Sequence, residues 1–554
     1  MADLFLIPYV REVWQRLRHQ ASTARPMAIF GAGQHTRWLL GVTGDMPAPP
    51  IAAIIDDHPK CSEIAGIPIR RPAEIDPSAL AFVLVSSDQW EEPMAARCRE
   101  LWGSRVAIVR LYEGLPPGPY DKAPDRQAVR DIAAKPRPRR GRAVDANALH
   151  VALVSGHPRS REAKLAAALR HAGCRVTLLH RAEPAFDASR SFDDAIAYTH
   201  PWQALRLACE SGADVHHVMV SSDYRTAEVF VAERAAPVVV DSYDIIAGMY
   251  TDEFLTARPQ LASQIDGERA CLTAADGVVS RSGELAYLRD ELGYAIRREL
   301  SVPDGCWNRA VPAAGRNRDS SLQVVYAGNL ASGANDGDPF GDFGCWIPLA
   351  ELLTRSGIDF HLYPSVPPGA FESDARLGPY RDLRDREPRF HLHRPVAADR
   401  LIHELAGYDV GVFIYNELAF PTVRPSAITR TKMRCCATNK FYDYVDAGLA
   451  IAHNALPGTG LSDFAADYGV GVNLGAAPPA MWPEVLRAAD IASLKAAAGR
   501  ARARLDIRQA GPRLVEFYRE ILADREASVG RVGAADLEEI DHAGIGQGNR
   551  PALL

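Results

Sequence analysis

The stretch TNKFYDYVDAGLAIAHN (438–454) decides the fold. Thr438 or Asn439 can cap a helix, FYDYVDA carries it, and Gly448 ends it before the apolar strand LAIAHN (449–454). A helix feeding a buried strand is half of a parallel α/β repeat. Lys440 then falls in the first helical turn, where a cation opposes the helix dipole by about 0.3–1 kcal/mol unless an anion is near. A phosphate at the helix start would remove that conflict. Asp443, one turn on, could accept hydrogen bonds from both hydroxyls of a ribose. The alternative is a weak surface pair between Lys440 and Asp443 at i,i+3 spacing.

The same alternation extends outward from this stretch. LQVVYAGNL (322–330) opens the unit that contains it, and FHLYPS, RFHLHRP and DVGVFIYN follow as strands. PRLVEFYREILAD (512–524) reads as a closing amphipathic helix. An earlier unit opens at HVALVSG (150–156) and runs through RVTLLHR, VHHVMVSS, APVVVDSYD and DGVVSRS. A third, at the front, has strands MAIFGAG (27–33), IAAIIDD (51–57), AFVLVSS (81–87) and VAIVRLY (106–112). The expected fold class is therefore α/β, with two Rossmann-like lobes preceded by a small Rossmann-like domain. The expected divisions are an amphipathic helix at 1–25, the front domain at 26–112 and lobes at 148–305 and 306–510. A closing helix at 511–524 and a mobile tail at 525–554 complete them. Residues 113–147, with the run AKPRPRRGRA (134–143), read as a Pro-rich linker. The other reading of that run is contact with an anionic membrane surface or nucleic acid.

Composition narrows the function classes. With 47% hydrophobic and 24% charged residues, the chain of 554 is ordinary globular protein. A net charge of -6 argues against a nucleic-acid-binding protein. No apolar run approaches the ~20 residues that span a bilayer. Arg11, Glu12, Arg16 and Arg18 interrupt the first apolar segment, so no signal peptide is read there. The nine cysteines show no C-x-x-C and no recurring Cys/His spacing. Reduced thiols in a cytoplasmic protein without a metal site are expected.

NKFYDYVDAGLAI resembles the donor-site helix of GT-B glycosyltransferases, above all the family 4 group, where N-K-aromatic-x-E-Y-x-x-x-G-x-P-I recurs. Asp443 stands for the usual Glu and Ala450 for the usual Pro. VVYAGNL resembles the first strand and phosphate-facing loop of that fold's C-terminal lobe. GADVHHV, APVVVDSYD, and AADGVVSRSGELAYLRDELGY with LSVPDGCWN resemble parts of its N-terminal lobe. The resemblance covers about residues 148–524. It implies a nucleotide diphosphate-sugar donor, a glycan, lipid-linked or protein acceptor, and no required metal or other cofactor. The implied donor-site residues are Gly328, Asn329, Asn439, Lys440, Tyr442 and Asp443. Two departures stand out. Cys435 occupies the position of the first Glu of the retaining pattern, and ASGANDGDPFGDF (331–343) replaces the expected basic loop. Arg430, Lys432 or Arg434 can supply the lost charge.

In the N-terminal lobe, SGHPRSRE (155–162) follows the first strand. His157, Arg159 and Arg161 are its candidates for acceptor or cleft contacts. Asp244, after another strand, is the candidate general base of an inverting enzyme. His216 or His217 reads as a buried, satisfied histidine. In the front domain FGAGQHT keeps two glycines of G-x-G-x-x-G, with Thr36 in place of the third. It also resembles the N-terminal domain of PglD-type sugar acyltransferases, which implies a nucleotide pocket at Gly31, Gly33, His35 and Asp56. Two rival functions stay open: an NAD-dependent oxidoreductase acting on nucleotide-sugars, and a non-catalytic nucleotide-sugar-binding scaffold.

Overall fold

The computed structural model describes residues 6–59, 61–88, 90–115, 122–134, 149–221, 223–256, 259–262, 264–281, 283–307, 321–331, 344–366, 368–420, 428–435 and 438–539. They form three sheets. The front sheet contains β1 (Met27–Phe30), β2 (Ile51–Ile55), β3 (Glu63–Ile64), β4 (Ile67–Arg70), β5 (Phe82–Val85) and β6 (Ala107–Arg110), in the order β3-β4-β2-β1-β5-β6. The middle sheet contains β7 (His150–Ser155), β8 (Arg175–His180), β9 (Asp194–Ala197), β10 (Val215–Ser221), β11 (Val238–Asp244), β12 (Gly277–Ser280) and β13 (Glu299–Ser301), ordered β13-β12-β11-β10-β7-β8-β9. The C-terminal sheet contains β14 (Gln323–Gly328), β15 (Asp359–Pro364), β16 (Phe390–Leu392), β17 (Val410–Phe413), β18 (Ala450–His453) and β19 (Gly471–Asn473), ordered β16-β15-β14-β17-β18-β19. Among the strands of the described residues, only β3 and β4 pair antiparallel. The fold class is the expected one: two doubly wound, Rossmann-like lobes behind a smaller α/β domain.

Each sheet reverses strand order once: between β1 and β5, between β7 and β10, and between β14 and β17. At such a switch point the connections depart to opposite faces and leave a crevice beyond the strand ends. The apolar strand runs are buried on both faces, as β7 illustrates with six buried residues in succession.

Two divisions depart from expectation. The segment taken as a linker contains the helix Ala123–Ala134, which lies along the middle-lobe helix Pro201–Glu210. Val129 packs into the core with Trp202, and the Arg126 guanidinium stands 5.0 Å from the Trp202 ring centroid. Asp125 meets His200 Nε2 at 3.1 Å and pairs with Arg206. Polar side chains with specific partners order this helix, and composition does not report partners. The basic run beyond it (135–148) lies outside the described residues. The closing helix is also longer, Ala510–Glu539, so it runs through part of the expected tail. It leaves the C-terminal lobe and returns to the middle one, where the Tyr518 hydroxyl lies 2.6 Å from His217 Nδ1. His217 is thus a buried, satisfied histidine, as read. The first helix, Leu6–Gln20, buries Val10, Val13, Trp14 and Leu17 against the front sheet. Among the described residues no helix is long and apolar enough to cross a membrane.

A fragment starting at residue 122 is therefore expected to unfold cooperatively and to be more stable than one starting at 148. Losing Val129 burial and the Arg126–Trp202 contact should cost about 2–4 kcal/mol. Equal urea midpoints for the two fragments would contradict this role for the helix.

Candidate functional site

The site begins at the switch point of the C-terminal lobe. The helix Asn439–Asp446 starts after Thr438 and places Lys440 in its first turn. Lys440 lies across Gly328, the last residue of β14. A Cβ built on Gly328 would fall 2.2 Å from Lys440 Cε, and Gly328 has φ +151, so only glycine leaves room for the lysine. The ammonium stands 5.5 Å from the ring centroids of both Tyr326 and Phe413, at the ends of β14 and β17. Tyr326 stacks on Trp346 at 3.8 Å, and its hydroxyl donates to the Asn329 carbonyl at 2.9 Å. Gly328, Asn329 and Lys440 are thus brought together. The dipole conflict expected for Lys440 is eased in part by two aromatic faces. Tyr442 is not in this group: its ring is buried edge-on to Phe464 at 4.9 Å, because the helix turns that position into the core. Arg430 is exposed at the start of the helix Arg430–Cys435. Residues 332–343 and 424–427 of the flanking loops lie outside the described residues.

The other side of this helix meets the middle lobe through charge. Asp443 accepts from Lys164 Nζ at 2.9 Å, and the lysine is 0% and the aspartate 17% exposed. Burial alone would lower the Lys164 pKa, but Asp443 and Asp304 hold it raised. With its amide nitrogen toward Asp304 (3.1 and 2.5 Å), Asn439 accepts from the Tyr243 hydroxyl. Lys432 is turned inward, donating to Asp244 and, at 2.9 Å, to Glu284. Arg281 also pairs with Asp244 and lies 4.0 Å from the Tyr243 ring centroid. Burial favours protonation of Asp244, but Arg281 and Lys432 outweigh it and hold the carboxyl below its ordinary range. A carboxylate so held is a poor proton acceptor, so the geometry favours joining the lobes over the general-base role expected for Asp244.

Arg161 is likewise not open to a ligand. It is 2% exposed and grips both oxygens of Asp241, with Nη2 at 2.9 and 3.1 Å. Its Nη1 donates to the Val302 carbonyl at 3.0 Å and to Asp304 at 2.9 Å. This arginine ties β11 to the turn after β13. Its neighbours in the same loop, His157 and Arg159, are exposed and line a cavity that opens to solvent. That cavity lies beyond β7 and β10, the switch point of the middle lobe, and Tyr243 and Arg181 share its wall. Partial burial, then Arg181 and Arg159, push the His157 pKa down. Lys164, Tyr243, Arg281 and Asp304 were missed in the sequence. For Lys164 a signal existed: Arg161, Lys164 and Ala168 share one helical face, so two cations sit on the side that must be buried.

The front domain has committed three of its four candidate residues, Gly31, His35 and Asp56, to its own structure. A Cβ on Gly31 (φ +107) would meet Met94 Cε at 2.6 Å. Asp56 accepts from the Ala32 and His58 N–H groups at 2.9 and 2.8 Å. The His35 ring is bonded at both nitrogens, to Ser86 (2.9 Å) and Tyr112 (2.7 Å), and burial pushes its pKa down to about 4. The Thr36 hydroxyl donates to the Gly31 carbonyl where the fingerprint has its third glycine. Gly33 alone has open space around it. These contacts use up the groups that would bind a pyrophosphate and ribose, so the oxidoreductase reading loses its site.

No protein-family model matches the chain, and no curated protein does. Solved structures are similar in part. Sucrose-phosphate synthase from Thermosynechococcus elongatus is 15% identical with a TM-score of 0.48, over 68% of this chain and 100% of that one. An O-GlcNAc transferase from Thermobaculum terrenum is 16% identical with a TM-score of 0.42, over 74% and 75%. A glycosyltransferase from Rickettsia africae is 10% identical with a TM-score of 0.44, over 68% and 99%.

Proposed function

We propose that the chain is a glycosyltransferase of the GT-B type, taking a sugar from a nucleotide diphosphate-sugar and delivering it to an acceptor hydroxyl. One observation carries this reading. Lys440 stands over Gly328 at the switch point of one lobe, on a helix whose Asn439 and Asp443 touch the other lobe, at Tyr243 near the end of β11 and at Lys164 of the helix Ser160–His171. An anion bound there would meet the ammonium and the helix start, and a facing wall would exclude water. Asp443 has one oxygen on Lys164 and a second with which to bind ribose. The acceptor would lie in the middle-lobe cavity beside His157 and Arg159. With Asp244 held by two cations, a retaining reaction suits the site. There the departing diphosphate oxygen takes the acceptor proton, and no protein base is needed. The motif NKFYDYVDAGLAI supports the same assignment by resemblance.

The test is turnover. Incubation with a panel of nucleotide-sugars should release nucleoside diphosphate from one of them, and excess chelator should leave the rate unchanged. A ligand at 100 times its dissociation constant should also add about 2.7 kcal/mol of stability. Thermal stabilisation without any release would favour the scaffold reading.

A further inference from the structure

The cavity of the middle lobe has a charge pattern that speaks to what it accepts. Asp223, on its wall, is gripped by Arg225 through Nε at 2.9 Å and Nη2 at 2.8 Å. Arg225 is in turn 3.5 Å from Asp88 of the front domain. The carboxylate that Arg181 approaches, at 3.7 Å, is this same Asp223, through the oxygen that already accepts from Arg225 Nη2. Arg159, on the other rim, forms no ion pair among the described residues. Glu162 cannot serve it, because its two oxygens accept from the Ser155 hydroxyl and the Arg159 backbone N–H, both at 2.8 Å. Arg161 is neutralised by Asp241 and Asp304. Two guanidinium groups therefore face one cavity: Arg159, with no ion pair among the described residues, and Arg181, which shares at 3.7 Å a carboxylate that Arg225 already grips. The cavity also reaches the donor helix, since Tyr243 lines it and bonds Asn439.

We propose that this cavity is a subsite for an acceptor that carries a phosphate group, bound between Arg159 and Arg181, with its reacting hydroxyl directed past Tyr243 toward the donor. Guanidinium pairs match phosphate oxygens bidentately and bind them more strongly than neutral donors do. Met219 and Val220 give the lining an apolar part, which would take the carbon skeleton of the acceptor. Arg225 acts as a positioning residue: by holding Asp223, and being held by Asp88, it keeps Arg181 available. This proposal rests on the glycosyltransferase reading only for the name acceptor; the anion subsite can be measured without it.

Calorimetric titration of the full chain with inorganic phosphate, glucose 6-phosphate and glucose tests it, in parent, Arg159→Gln, Arg181→Gln and Lys440→Ala forms. Both phosphate-bearing probes should bind the parent, and glucose should not. Each arginine variant should weaken phosphate binding about 10-fold or more and leave affinity for a nucleoside diphosphate unchanged, while Lys440→Ala should do the reverse. Phosphate binding lost in Lys440→Ala and kept in both arginine variants would overturn the proposal, because the anion would then be entering the donor site. Failure of both phosphate probes to bind the parent would overturn it as well. If no nucleoside diphosphate binds but phosphate follows the arginines, the subsite stands and the donor assignment falls.

Discussion

Lys440→Ala is expected to lower affinity for a nucleoside diphosphate by about one to two orders of magnitude while leaving affinity for the bare nucleoside unchanged. A charge-assisted bond to phosphate contributes about 1.5–3 kcal/mol, and 1.4 kcal/mol is tenfold in binding. Stability should move little. The variant loses two contacts to the rings of Tyr326 and Phe413, each about 0.5–1 kcal/mol, and gains relief from the helix dipole of about 0.3–1 kcal/mol. Gly328→Ala gives an independent check on the geometry. Its methyl would occupy the space of Lys440 Cε, so it should displace the ammonium and weaken the diphosphate without removing any charge. Calorimetry of nucleoside and nucleoside diphosphate on both variants decides the matter. Parental affinity for the diphosphate in Lys440→Ala would end the donor-site assignment of this helix.

The second large effect concerns folding. Arg161→Ala should destabilise the middle lobe by about 3–5 kcal/mol, because it leaves Asp241, 0% exposed, without its arginine, and Asp304, 1% exposed, with only the more distant Arg281 at 3.8 Å. That is a large share of the ~5–15 kcal/mol that holds a domain. The pH dependence should change sign with it. In the parent, burial favours protonated Asp241, but Arg161 together with His217 outweighs it and the pKa is lowered. A carboxyl with a lowered folded pKa stabilises fully above its unfolded value, near 3.9, and that contribution is lost as pH falls through the folded value. In the variant only His217, 3.4 Å from Asp241, still opposes burial, so the folded pKa should rise above the unfolded one. Stability should then improve as pH falls toward the carboxylate range. Asp241→Asn in the Arg161→Ala background should recover part of the loss, and the coupling is measurable by a double-mutant cycle. Urea midpoints across pH that fall in parallel for parent and variant would show that Arg161 does not hold these acids.

The sequence by itself determined the three α/β units, their order and the helix at 439–446, since each rests on local periodicity and end signals. An apolar run such as HVALVS needs two covered faces, and Gly448 ends a helix wherever it folds. The placement of Lys440 in a first turn was legible for the same reason, whereas the loop at Gly328 was implied only by resemblance. The tertiary structure alone decided which polar residues remain available to a ligand. Arg159 and Arg161 are two positions apart, yet one is exposed and the other is buried and locked between Asp241 and Asp304, 80 and 143 residues away. Asp443 met Lys164 from another lobe, 279 residues distant. Asp56 spent its oxygens on its own loop. A charge is free or committed according to its partners, and partners brought together by packing leave no period in the chain.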